Sequence, residues 1–350
     1  MKKRQLILLI CALIFLLLFG ACSGGSIKKE VEITTTPSTG KIYLYGEFHD
    51  VEKILEKELE LWQDYYNNQN MRHLFLELPY YTAEFLNIWM KSDSDEILNG
   101  INDDTVGTNM HGENFLNFYK TIKENCPETV FHGTDVGHQY SSTGKQYREY
   151  LEENGMEDSE EYKLTLKNIE QGKYFYKNND DIYRENKMVE NFIREFDTLE
   201  NMDIMGIYGA LHTGIDELDF SGQIPCMANQ LKKRYGENIL SEDINNLIKE
   251  IININGKEYT ATFCGNYDLT VFKDYKSREF WRLEDAYEDC KDFPTNGNVL
   301  PYDNYPINIE VGQVFKVVYT KTDDSTEICY FRSDGNEFEN HPTTEEFILN

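Results

Sequence analysis

Lys41-Ile-Tyr-Leu-Tyr-Gly-Glu47-Phe-His49 is an apolar run that ends on an acid and a histidine. Three later stretches have the same character: His73-Leu-Phe-Leu-Glu77, Thr129-Val-Phe-His-Gly-Thr-Asp135 and Asp203-Ile-Met-Gly-Ile-Tyr-Gly-Ala-Leu-His212. Short, nearly continuous apolar runs read as strands buried on both faces, which is the habit of parallel sheets. Helical patterns separate the four runs. Strand–helix–strand alternation predicts an α/β fold with a mainly parallel central sheet and flanking helices. In such sheets ligands bind in the crevice outside the carboxyl ends of the strands. Four strand ends carrying proton-active side chains therefore predict one site there.

The helices follow from apolar spacing. Asp50 is a candidate cap for a helix whose inner face includes Val51, Ile54, Leu55, Leu61, Trp62 and Tyr65. Further helices are predicted over Thr82–Met90, over Glu113–Lys123 and across Tyr147–Leu199 with a break near Asn178–Asp181. Two more are expected near Cys226–Tyr235 and Ser241–Ile252. From about Gly256 the texture changes to alternation. Glu258–Cys264, Gln313–Tyr319 and Thr326–Phe331 read as half-exposed strands, the last two flanking a hairpin loop at Thr320–Ser325. This C-terminal antiparallel β-rich extension, 256–350, is either a continuation of the main sheet or a small appendage; the α/β domain is expected over 41–255.

Lys2, Lys3 and Arg4 precede an unbroken apolar run, Leu6–Phe19. The run is shorter than the ~20 residues that span a bilayer, and its layout is that of an export signal over 1–21. It closes on Phe19-Gly20-Ala21-Cys22, which resembles a bacterial lipobox. That implies lipidation of Cys22, a polar tether over 22–40, and anchorage on the extracytoplasmic face of the cell membrane. The 350 residues carry 34 basic and 62 acidic side chains, a formal charge of −28. Such a balance argues against nucleic acid as a partner. Beyond Cys11 in the signal and Cys22, the cysteines Cys126, Cys226, Cys264, Cys290 and Cys329 form no C-x-x-C, which argues against a structural zinc.

Glu47 and His49 are two residues apart and share a face in extended geometry, so the carboxylate can orient the imidazole. Glu47, His49, Glu77, Asp135 and His212 suit two chemistries. A neutral histidine can take a proton from water while carboxylates set its tautomer. Alternatively Glu47, His49, Glu77 and His212 can hold Mn²⁺, Zn²⁺ or Fe²⁺ with an open position for water. His138 is a further candidate ligand close to Asp135. On the helix after Asp181, Arg184, Met188 and Asn191 fall on one face, and Arg184 is placed to clamp a carboxylate or an oxyanion. No G-x-S-x-G, Walker loop or H-E-x-x-H occurs.

Gly46-Glu-Phe-His-Asp50, the Glu77 strand, His132-Gly-Thr-Asp135-Val, Arg184-Glu-x-x-Met-x-x-Asn191 and Gly209-x-x-His212 run in the order seen in a superfamily of erythromycin-esterase-like, ChaN-like and Tiki proteins. The chain resembles that superfamily over about Ile42–Gly214. The resemblance implies a hydrolase acting on an ester or amide, with His49 as general base on water. Glu47, Glu77, Asp135 and Arg184 would support it, and His212 would be the late histidine. It also implies two alternatives: a metal-assisted peptidase, or a lipoprotein that binds haem or a metal without turnover. The partners expected are a small-molecule or peptide substrate, and the membrane through Cys22.

Overall fold

The computed structural model describes Pro37–Leu349 apart from Asn109; the predicted signal and Cys22 lie outside the described residues. The four apolar runs form strands β1 (Ile42–Glu47), β2 (His73–Pro79), β3 (Val130–Asp135) and β4 (Ile204–Gly209). A fifth, β5 (Ile239–Asp243), completes a sheet of order β3-β2-β4-β1-β5 in which every pairing is parallel. The chain runs from β1 to β2, out to β3, then back to place β4 between them. All four predicted strand ends therefore share one edge.

Eight helices serve this domain among the described residues: α1 (Glu52–Asn68), α2 (Tyr80–Trp89), α3 (Glu96–Asp104), α4 (Glu113–Asn125), α5 (Thr143–Glu153), α6 (Glu160–Asn178), α7 (Asp181–Asp197) and α8 (Met227–Tyr235). Strand alternation divides the sheet's two faces between them. Tyr43 and Tyr45 pack on Tyr65 of α1, and Leu74, Leu76 and Leu78 join the same cluster as Trp62 and Phe118. Phe75 points the other way, with its ring 4.9 Å from Phe192 of α7. By the same parity Glu47 belongs to the α1 face and Glu77 to the α7 face.

Two local readings are corrected. Asp50 does not cap α1: it takes a left-handed conformation (φ 62°), and Val51 stands at the N-cap without a side-chain bond. The helix expected near Ser241–Ile252 does not form. Its residues supply β5, a 3₁₀ turn over Ile244–Leu247, and β6 (Lys249–Ile254). Pairing of β5 with the exposed edge of β1 overrides a helix-like spacing of isoleucines. The long region after Tyr147 is also interrupted at 154–159 as well as at its expected break.

The C-terminal strands form a sheet of their own rather than extending the first. Its seven antiparallel strands are ordered β6-β7-β8-β10-β11-β12-β9, with β7 at Lys257–Asp268, β8 at Tyr275–Leu283, β9 at Thr295–Leu300, β10 at Val314–Lys321, β11 at Thr326–Arg332 and β12 at Thr344–Phe347. It begins at Lys249, because Asn255-Gly256 closes a two-residue hairpin with φ of 50° and 86°. That dipeptide is the usual means of meeting two positive φ values in a tight turn. One buried cluster joins the sheets, containing Ile54 and Trp62 with Tyr259, Phe263, Trp281 and Phe347. Among the described residues no helix is long and apolar enough to cross a membrane, and Cys126, Cys226, Cys264, Cys290 and Cys329 are free thiols.

Candidate active site

The carboxyl edge of the parallel sheet gathers Glu47, His49, Glu77, Asp135 and His212 with Arg184 from the first turn of α7. The Asp180 side chain accepts from Tyr183 N–H and fixes where that helix begins. Met188 faces the core one turn on. Asn191, a further turn along, donates to Thr134 O at 3.1 Å. Asn168 of α6 donates to Asp135 O at 2.8 Å. Two buried amides thus tie α6 and α7 to the end of β3 and set Arg184 against it.

Arg184 is the hub. Its Nε donates to both Asp135 oxygens at 3.1 and 3.2 Å, and its Nη2 reaches Asp135 Oδ2 at 2.6 Å and Glu77 Oε1 at 2.5 Å. Asp135 also accepts from Val136 N–H at 2.6 Å and meets His138 Nε2 at 2.9 Å. Burial alone would raise the Asp135 carboxyl, but Arg184 and His138 outweigh it and hold the group far below its ordinary range. Glu77 follows the same logic. Burial pushes it up, while His212, Arg184 and His49 together bring it below its usual value. Its second oxygen accepts from Gly209 N–H at 2.6 Å.

His212 supports this array from behind. It is buried, it meets Glu185 Oε2 through Nδ1 at 2.6 Å, and its Nε2 lies 3.6 Å from Glu77 Oε1. Burial disfavours its charge, but Glu77 and Glu185 more than compensate, so its pKa is raised.

His49 stands at the front. Its Nδ1 meets Glu47 Oε1 at 2.8 Å, and Nε2 has no hydrogen bond among the described residues. The Glu47 hydrogen bond is the main reason the imidazole is raised to about 9; burial opposes it, and the charges of Glu47 and Glu77 add to it. His49 and Glu77 lie where two hollows meet. One is a cleft of about 400 Å³ that Arg184, Asp135, His138, Gln139, Thr143 and Tyr176 help to line. The other is a chamber of about 80 Å³ with walls that include Leu55, Leu76, Phe115, Phe118 and Ile207. A cleft of the larger size suits a small organic molecule.

The metal set Glu47, His49, Glu77 and His212 does not come together as a ligand cluster. Among the described residues no three His, Cys, Asp or Glu side chains are arranged to hold a metal. The reason lies in strand parity, which sends Glu47 and Glu77 to opposite faces. Arg184 supplies the positive charge between Glu77 and Asp135 that a cation would otherwise supply. Gly46, beside Glu47, is a packing position. A Cβ there would sit 2.3 Å from Thr213 Oγ1, so its missing side chain serves the packing of the turn after β4.

Two acids in the constellation were not anticipated, Glu58 and Glu185. Both lie in the apolar stripes of their helices. Glu58 takes its place in the series Ile54, Glu58, Trp62, Tyr65, and Glu185 in the series Glu185, Met188, Val189, Phe192. An acid at a core position of an amphipathic helix is the signal that finds them.

No family model matches the sequence, and no curated protein matches it. Three solved structures are similar in fold. A mutant erythromycin esterase in its open conformation is 11% identical, with 64% of this chain and 76% of that one covered and a TM-score of 0.43. A protein from Bacillus cereus is 13% identical, covering 89% and 86%, with a TM-score of 0.41. A succinoglycan biosynthesis protein is 12% identical, covering 63% and 70%, with a TM-score of 0.43. At these identities the similarity concerns the path of the chain and assigns no activity.

Proposed function

We propose that this chain is a hydrolase of an ester or amide in which His49 is the general base on water. The observation that carries the reading is the Glu47–His49 pair at the junction of cleft and chamber, with Nδ1 held and Nε2 open. Glu47 fixes the tautomer and steadies the imidazolium that forms. His49 Nε2 takes a proton from water as the water oxygen bonds to the substrate carbonyl carbon. The carbonyl electrons move onto oxygen, beside the Arg184 guanidinium, whose Nη1 makes no hydrogen bond among the described residues. When the carbonyl reforms, the bond to the leaving group breaks and the imidazolium returns the proton to it.

At neutral pH an imidazole raised to about 9 is mostly charged in the free protein. Activity of the wild type therefore climbs with pH through a limb near 9, as the base form appears. Glu47→Gln keeps the side-chain shape and removes the charge. Its limb is expected to move down toward the ordinary histidine value of about 6.5, while the maximal rate falls about 10²–10⁴-fold. Rates on a panel of nitrophenyl esters and anilides from pH 5 to 10 test this. A wild-type limb unaffected by Glu47→Gln would exclude the dyad.

The same reading places the enzyme outside the cytoplasm, held to the membrane by an acyl chain on Cys22. The support is the basic start, the Leu6–Phe19 run and the residues before Cys22. With Cys22→Ala, the protein is expected to lose labelling by an alkyne fatty acid and to leave the membrane fraction. Labelling that persists would exclude the anchor.

A further inference from the structure

The chamber behind His49 contains an acid that the mechanism above does not use. Glu58, from the second turn of α1, is only 1% exposed. Its Oε1 and the Oε2 of Glu47 are both buried, and neither has a hydrogen-bond donor among the described residues. The two carboxyls are in contact, and both line the chamber. Two ionised carboxylates in contact in an apolar hollow repel each other, and each would forgo its hydration. One proton between them removes both costs, since it makes one partner a donor and the other an acceptor.

We infer that Glu58 is a positioning residue for the His49 base: it keeps a proton, donates it in a hydrogen bond to Glu47 Oε2, and so holds Glu47 Oε1 on His49 Nδ1. The chain Glu58–Glu47–His49 then runs from the interior of α1 to the water at Nε2. Both burial and the neighbouring Glu47 push Glu58 well above the ordinary carboxyl range, in line with a retained proton. Besides His49, the titratable groups lining the chamber with the pair are Tyr119 of α4, itself raised by burial and by the two acids, and Asp50 and Glu77. The rest of the wall is aliphatic, aromatic and methionine side chains, and among the described residues no Lys or Arg lines it; the one positive group at hand is the His49 imidazolium, already engaged by Glu47 Oε1.

The role rests on the hydrolase reading, but one of its tests does not. Glu58→Gln retains the volume and an N–H donor, whereas Glu58→Leu retains only the bulk. Infrared difference spectra of wild type against Glu58→Gln at pH 7 should show the carbonyl band of a protonated carboxylic acid in the wild type alone. No substrate is needed, so absence of that band overturns the inference whether or not the protein is a hydrolase. In the pH–rate profile Glu58→Gln is expected to keep the wild-type limb. Glu58→Leu takes the donor from Glu47, whose carboxylate then pulls harder on the imidazolium. Its limb should rise by about one pH unit, opposite in sign to Glu47→Gln. A Glu58→Leu limb that stays in place or falls would make Glu58 a packing residue and overturn its assignment.

Discussion

His49→Ala is expected to lower turnover of a responsive ester or amide by about 10²–10⁴-fold, the range that a positioned general base contributes. The loss should lie in kcat rather than KM, because Ala leaves the cleft walls and Arg184 in place. It should also be unaffected by chelator, since the candidate ligands do not converge among the described residues. Wild-type rates that collapse with EDTA and return with Mn²⁺ or Zn²⁺ would replace the free-base mechanism with a metal one. Retained activity in His49→Ala would move the base elsewhere. Because His49 is partly open to solvent and sits past the end of β1, the variant should fold; unchanged thermal unfolding is the control.

The second large effect is on stability. Arg184→Met removes the guanidinium that bridges Glu77 and Asp135 at the sheet edge, where the Asp135 side chain is 1% exposed and that of Glu77 11%. Losing one partner of a buried ion pair costs about 3–5 kcal/mol, because the remaining charge is left uncompensated. For a domain of this size that is a fall in Tm of roughly 10 °C. Charge is the cause, so adding Glu77→Gln and Asp135→Asn to Arg184→Met should restore part of the loss. If the triple variant were less stable than the single one, packing of the guanidinium would be the source instead. The sign with pH follows from the same groups. Both acids are depressed in the folded state, so their contribution is complete above their unfolded values near 4 and is lost as pH falls through the folded ones.

The strands were readable because each apolar run is short, nearly continuous and ends on a polar residue, and the ends meet because parallel strands share one edge. That made Glu47, His49, Glu77, Asp135 and His212 visible as a group. Arg184 could be placed because Arg184, Met188 and Asn191 recur at helical spacing. Two kinds of information were not legible. Which face a strand-end acid takes depends on parity against helices whose positions are set by the tertiary fold; this separates Glu47 from Glu77. Acids inside apolar helix stripes look like tolerated surface charges until the stripe is aligned, which hid Glu58 and Glu185. The region of Ser241–Ile252 was misread because isoleucines at 244, 248, 251 and 252 fit a helix, whereas the Asn255-Gly256 turn and the free edge of β1 decide for strands.

The strand order also bears on how the molecule is made. β4 lies between β1 and β2, pairing Ile42 and His73 with the same residue, Ile204. A nascent chain that ends before Asp203 can join β2 to β3, but it has nothing to fill the space beside β1. Until more than 160 residues have followed β1, two apolar strand edges stay unpaired, and such edges recruit other chains. Truncation within α7 should therefore yield an aggregating fragment rather than a smaller folded one, and the whole segment is best kept unfolded by a chaperone until β4 has emerged.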